Sequence, residues 1–348
     1  MAKNDKILVI LAGGESRRFQ TTAKSWQDKA KTVNAEGIPF IVEIIKKAEL
    51  SYKEICVSIN SEKRKEEYKK LMKEYSVKIP KFVVDNSSIL VEGVLKGIIT
   101  AYEYYNKKHQ PIQFISCDRP LMCLSLLKKI EITDSAIGLL KHSNGMIEPL
   151  LAIYETNLYF PDKFKTLPVA RADLLPRINP KLEFFDIDKL LTENNLSFEI
   201  LQNINNPTDL KETLEECNET HKKWKIPQSK VLLRKKIREE PEFTTLDETE
   251  NFIEYLFENK HFYSAYLWSN IVENKFSSDN FEKYKIQALE EEYEYWIDND
   301  NPFFALHALQ DLIRNFPKEK TLETEKTIID LKQKMGIKAK NSKNFKTM

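Results

Sequence analysis

The sequence predicts an α/β protein: a Rossmann-like, largely parallel sheet with helices on both faces, followed by an all-α region. Three observations carry that expectation. Short apolar, β-prone runs alternate with helix-period stretches through the first two hundred residues, the pattern of a sheet covered by crossover helices. The first run, Ile7-Leu8-Val9-Ile10-Leu11-Ala12, ends abruptly in Gly13-Gly14. The last hundred residues carry aromatic-rich helical patterns instead of strand-like runs.

Taken in order, strands are predicted over 6–12, 54–59, 81–84, 112–117, 135–139 and 150–154. Helical periodicity fills 40–50, 62–75, 90–106 and 124–130 between them. Four helices are predicted in the tail, over 250–258, 262–273, 281–297 and 302–316. Asn259-Lys260-His261-Phe262 and Asn299-Asp300-Asn301-Pro302 lie forty residues apart and look alike. Such spacing suggests tetratricopeptide-like helical hairpins. The predicted division is residues 1–215 as the α/β domain, 216–245 as a basic linker and 246–348 as the helical domain. The first of these is expected to fold alone.

Lys+Arg of 54 against Asp+Glu of 53 leaves a net charge of +1, so no global field points to nucleic acid or to an anionic membrane. No apolar run approaches the roughly 20 residues that span a bilayer, and the start of the chain lacks a cleavable-leader pattern. Cys56, Cys117, Cys123 and Cys217 show neither C-x-x-C pairing nor zinc spacing. A cytoplasmic protein with reduced cysteines is the expectation.

In parallel sheets, ligands bind beyond the carboxyl ends of the strands. Here those ends carry Gly13-Gly14, Asn60, Asp85 and Asp118. Glycines let backbone N–H groups approach a phosphate, and Arg18 with Lys29 of Asp28-Lys29 supplies positive charge. The stretch is neither a Walker A loop nor a dinucleotide fingerprint. Asp118, in Cys117-Asp118-Arg119-Pro120, suits Mg²⁺ bridging phosphates beside the Gly-Gly loop; the alternative is a cap for the helix that follows. Asn203 and Asn205, ahead of Pro207, have the composition of a turn and helix start.

In this order the segments resemble the molybdenum cofactor guanylyltransferases of the nucleotidyltransferase superfamily, which implies a sheet of the nucleotide-diphospho-sugar transferase type. That family shows Leu-Ala-Gly-Gly with a following Arg, Asp-Lys, a mid-chain Asp followed by Gly-Pro-Leu-x-Gly, Cys-Asp-x-Pro, Glu-Pro-Leu-x-Ala and Asn-x-Asn-Thr-Pro. Here they stand as Leu11 to Gly14 with Arg18, Asp28-Lys29, Asp85 with Gly93 to Gly97, Cys117 to Pro120, Glu148 to Ala152, and Asn203 to Pro207. Three departures are evident: a longer stretch between Arg18 and Asp28 with Gln20 in place of glycine, Val94 in place of proline, and a tail beyond about 215 without counterpart.

The resemblance implies transfer of GMP from GTP to the phosphate of molybdopterin, carrying molybdenum or tungsten, with release of pyrophosphate and dependence on Mg²⁺. Leu11, Ala12, Gly13, Gly14, Lys29, Asn60, Asp85, Gly93 and Gly97 would hold the nucleotide. Arg18, Lys29 and Asp118 would be catalytic, with the metal on Asp118. Arg171, Asn203 and Asn205 would face the pterin. A different guanylyl- or sugar-phosphate nucleotidyltransferase, or a non-catalytic nucleotide-binding or cofactor-docking protein, are the alternatives open at this point. The tail would either dock a molybdoenzyme or its chaperone, or simply pack on the first domain.

Overall fold

The structure is a computed structural model and describes residues 4–14, 28–34, 36–106, 110–132, 137–156, 158, 160–167, 171–179, 181–204, 228–235 and 241–337. Its centre is β1 (Asn4–Leu11), flanked in parallel by β2 (Tyr52–Ile59) and β4 (Ile112–Ser116). With β3 (Lys81–Val84), β5 (Ile137–Lys141), β6 (Ile147–Tyr154), β7 (Lys181–Asp186) and β8 (Gln228–Leu233), the sheet runs β3-β2-β1-β4-β6-β5-β7-β8. The β3-β2-β1-β4 half is parallel, whereas β6 and β8 each pair antiparallel to their neighbours. Largely parallel is therefore the right description. Chain connections leave β1 toward β2 on one side and reach β4 on the other, which opens a crevice at its carboxyl end.

Alternation along β1 explains the layers. Ile7, Val9 and Leu11 face one core with helix Val94–Tyr105, while Leu8, Ile10 and Ala12 face the other with helix Phe40–Ser51. All six are buried, as a strand covered on both faces requires. Helices Phe40–Ser51, Glu62–Glu74, Val94–Tyr105 and Leu124–Lys129 stand close to their predicted bounds. β7 and β8 were not foreseen. The latter lies inside the stretch read as a basic linker, where it pairs Lys181 with Leu233 through Phe185 with Gln228.

Helices Leu246–Glu258, Phe262–Glu273, Asn280–Asp298 and Pro302–Asn315 realise the tail patterns, and a further helix, Leu322–Lys334, follows. The two look-alike turns are built alike. Lys260 and Asp300 both have positive φ, the Nδ2 of Asn259 and Asn299 donates to Tyr255 and Tyr295 at 2.7 Å, and the N–H of His261 and Asn301 donates at 2.8 Å to Leu256 and Trp296. Asn and Asp tolerate such left-handed positions better than most residues. Cys123 is disulfide-bonded, against the expectation of reduced cysteines, while Cys56 and Cys117 are free. No described helix is long and apolar enough to cross a membrane.

The tail does not keep its core to itself. Trp268, Trp296, Phe304 and Leu309 belong to the same apolar cluster as Ile7, Val9 and Phe114. Arg177, fully buried, forks onto both carboxylate oxygens of Glu292, reaches Asp311 at 2.8 Å and lies 3.5 Å from the centre of the Tyr263 ring. Burial opposes charge on Arg177, yet Glu292 and Asp311 hold it protonated well above the usual range. A cut at residue 215 would separate Arg177 from Glu292 and Asp311 and remove β8. We expect Arg177→Met, which strands Glu292 and Asp311 without their counter-charge, to cost about 3–5 kcal/mol of unfolding free energy. Chemical denaturation of the full chain measures this; a change under 1 kcal/mol would show that the cluster does not hold the two parts together.

Candidate active site at the carboxyl edge of the parallel strands

The crevice holds a cavity of about 200 Å³ whose walls include Leu11, Ala12, Gly13, Gly14, Lys29, Asp85, Gly93, Gly97 and Asp118. Nine residues singled out in the sequence thus meet around one space. Asp28, Ala30, Ser58, Val94, Ser116, Cys117 and Leu150 complete it. Sheet register brings the strand ends level: the Ala12 N–H donates to Ser58 at 2.9 Å, the Asp85 N–H to Ile59 at 2.8 Å and the Cys117 N–H to Leu11 at 3.1 Å.

Asp118 does not cap the next helix, which starts at Leu124 after Cys123. Its Oδ2 instead accepts from Lys29 Nζ at 2.7 Å, and Ser116 Oγ donates to its Oδ1. The backbone carbonyl of Asp118 takes the Ile204 N–H at 2.9 Å, and Arg119 donates to the Leu201 carbonyl at 2.6 Å. Residues 201–204, Asn203 among them, are thereby fastened to the Asp118 turn. Arg119 also pairs with Glu148 of the Glu-Pro-Leu-Leu-Ala segment, and Glu148 in turn meets His142 Nε2 at 3.2 Å. Cys117 lines the cavity, and burial, then the charges of Asp118 and Asp28, push its thiol well up.

Asp85 forms the opposite wall. Its Oδ1 is buried and has no hydrogen-bond partner among the described residues. Burial pushes its carboxyl up to about 6, with Lys96 and Arg64 opposing the shift. Gly97 is required beside it, since a Cβ there would stand 2.8 Å from Ser58 Oγ and 3.6 Å from Asp85 Oδ1. Gly93 opens helix Val94–Tyr105 at φ 69°, ψ −150°, a region that essentially only glycine adopts. Gly93 keeps its place for its backbone conformation and Gly97 for want of room for a Cβ, and Val94 starts the helix where the resemblance led us to expect proline.

Not every expected residue arrives. Asn60 is exposed and is not part of the cavity wall. Arg171 is committed elsewhere: it forks onto Asp173 and donates to Asp311 at 2.7 Å, joining the Arg177 cluster. Arg18 and Asn205 lie outside the described residues. In the other direction, Arg64 was overlooked. From helix Glu62–Glu74 it donates to the carbonyls of Ala12 at 3.1 Å and Gly14 at 3.2 Å, with its Nε 3.5 Å from Asp28. Its only sequence signal is spacing: Arg64, Tyr68 and Met72 recur every four residues, and they are the buried positions of an otherwise Lys- and Glu-rich helix.

Residues 8–168 match the family model of the MobA-like NTP transferase domain. That stretch is an NTP transferase domain. A comparison with curated proteins gives no match. Among solved structures, 42 chains match. One is the inositol-1-phosphate CTP transferase from T. maritima, with 12% identity and a TM-score of 0.30, over 43% of this chain and 58% of that one. The chain therefore spans little more than half of that structure, and so weak a likeness carries no argument about substrate. For an NTP transferase domain, the donor set fits Mg²⁺. One carboxylate, Asp118, opens on a space where phosphate oxygens and waters would complete the hard-oxygen shell this ion prefers. The described residues contain no group of three or more acidic, His or Cys side chains that would make an all-protein metal cage.

The raised carboxyl of Asp85 carries a sign that can be checked. Its ionised form is disfavoured in the folded protein, so folding bears a penalty above about pH 6 that fades as pH falls toward the unfolded value of 3.8. Asp85→Asn should therefore melt higher than the parent at pH 8, with the gap closing between pH 6 and 4. Nucleotide affinity should fall in the same variant by about tenfold or more, the usual loss of a hydrogen bond to a charged acceptor. Thermal unfolding and titration across pH measure both; a variant that melts lower at pH 8 would contradict the assignment.

Proposed function

We propose that this protein transfers GMP from GTP to the phosphate of molybdopterin and releases pyrophosphate. A phosphate oxygen of the pterin attacks the α-phosphorus of GTP. A new P–O bond forms, the bond from the α-phosphorus to the bridging oxygen breaks, and its electrons leave with pyrophosphate. Such transfers need positioning and charge neutralisation more than a protein nucleophile.

The observation that carries this reading is the position of Asp118. Its side chain pairs with Lys29 beside the glycine loop, and its carbonyl accepts the N–H of Ile204, next to Asn203. One turn thus joins the triphosphate side of the cleft to the side where the acceptor would enter. Gly13 and Gly14 would offer backbone N–H groups to phosphate oxygens, and Lys29 would neutralise them. Asp118 would hold Mg²⁺, which when bound withdraws charge from the phosphates. The unpaired Oδ1 of Asp85 suits a base that presents N–H donors, as guanine does through N1 and N2. Leu11-Ala12-Gly13-Gly14, as in the guanylyl branch of the superfamily, supports the same choice.

The test is pyrophosphate release from full-length protein given molybdopterin, Mg²⁺ and each nucleoside triphosphate in turn. GTP should be used well ahead of CTP and ATP. Asp118→Ala should lower turnover by about a hundredfold or more, the scale seen when transition-state charge loses a stabiliser, while the protein melts near the parent temperature. Equal use of CTP would reject the guanylyl assignment, and near-normal turnover in Asp118→Ala would reject the role given to Asp118.

A further inference from the structure

We propose that Arg64 is the positioning residue that sets the phosphate cradle, by tying its two arms, the Gly13-Gly14 loop and the Asp28-Lys29 turn, to one buried guanidinium. The inference rests on the cleft being a triphosphate site.

The two arms are separate in sequence, and both line the cleft. On the first arm, Arg64 Nη1 donates to the Ala12 carbonyl at 3.1 Å and to the Gly14 carbonyl at 3.2 Å. On the second, its Nε lies 3.5 Å from Asp28 Oδ2, an oxygen that also accepts from the Tyr68 hydroxyl at 2.9 Å. The other oxygen of Asp28 takes the Ala30 N–H at 3.1 Å, which shapes the turn carrying Lys29. The side chains of Arg64 and Asp28 are only 7% and 4% exposed, so water does not substitute for these bonds. Ser61 caps the helix by accepting from the Arg64 N–H, which seats Arg64 in the first turn directly after β2.

This geometry aims chemistry as well as holding chain. In a trans peptide the C=O and N–H point in opposite directions, and no described peptide bond is cis. Turning the Ala12 carbonyl toward Arg64 therefore fixes the Gly13 N–H to point away from it. The same guanidinium, through Asp28, sets where Lys29 begins and hence where its ammonium meets Asp118. A lysine at position 64 would balance the charge of Asp28, but it lacks the planar fork that serves two carbonyls and a carboxylate at once. Neutralisation alone and positioning are thus separable by one conservative substitution.

The experiment measures binding of Mg²⁺-pyrophosphate and of Mg²⁺-GTP to the full chain by titration, alongside melting temperature without ligand. Arg64→Lys should weaken pyrophosphate and GTP by at least tenfold each, and should raise KM for the nucleotide more than KM for the acceptor. Asp28→Asn should do the same, and the double variant should lose less than the product of the two single losses, because both belong to one unit. Tyr68→Phe, which removes a single hydroxyl, gives a weaker loss in the same direction and carries the test if Arg64→Lys fails to fold. Pyrophosphate separates this inference from the base assignment, since it reports on the cradle even if GTP is not the preferred nucleotide. Pyrophosphate binding by Arg64→Lys within twofold of the parent would overturn the proposal, as would losses in the double variant that simply multiply.

Discussion

Everything at the cleft depends on β1 being enclosed on both faces and both edges. A strand in that position has its polar backbone satisfied by neighbours along its length, but the moment it ends the chain must find partners in a place with little water. Leu11 still has the Cys117 N–H, and Ala12 still has Ser58. One residue later the ladder stops. Arg64 meets the next carbonyls, and Gly13 fits the crowded corner where a Cβ would lie 3.2 Å from the Asn60 nitrogen. The glycine loop is thus the way out of a buried strand, and it ends that strand in the wall of the cavity.

The helical region extends this enclosure. Its aromatic residues share a core with the sheet face that holds helix Val94–Tyr105, the helix whose Gly93 and Gly97 shape the cavity wall. Arg177, Asp173, Glu292, Asp311 and Arg171 form a buried set of alternating charges where these parts meet. Burial works against Asp173 as an anion, yet His307 and Arg171 hold its carboxyl well below the ordinary range. Such a set stabilises only while complete.

Much of this was legible from the chain, for reasons that can be named. Strand-end residues face a common edge whatever their spacing in sequence, so Gly13, Asp85 and Asp118 could be grouped before their distances were known. The paired turns at Asn259 and Asn299 were visible because the same backbone problem has the same local solution. What escaped depends on long-range company. Arg171 looks like an anion binder in isolation, but Asp173 beside it and Asp311, far along the chain, already answer its charge. β8 is hidden by the lysines and arginines around it, which suit an edge strand as well as a linker. Arg64 lies in a helix whose composition advertises a solvated face, and its burial is set by Ala12, Gly14 and Asp28, none of which is its neighbour in sequence.

The most direct measurement is a structure of the full-length protein with a non-hydrolysable GTP analogue and Mg²⁺. The account predicts phosphates against Gly13, Gly14 and Lys29, a metal on Asp118, and guanine N–H groups within hydrogen-bonding distance of Asp85 Oδ1. An analogue bound away from the carboxyl edge of β1, or one whose phosphates lie beside Asp85 and whose base lies beside Asp118, would contradict it.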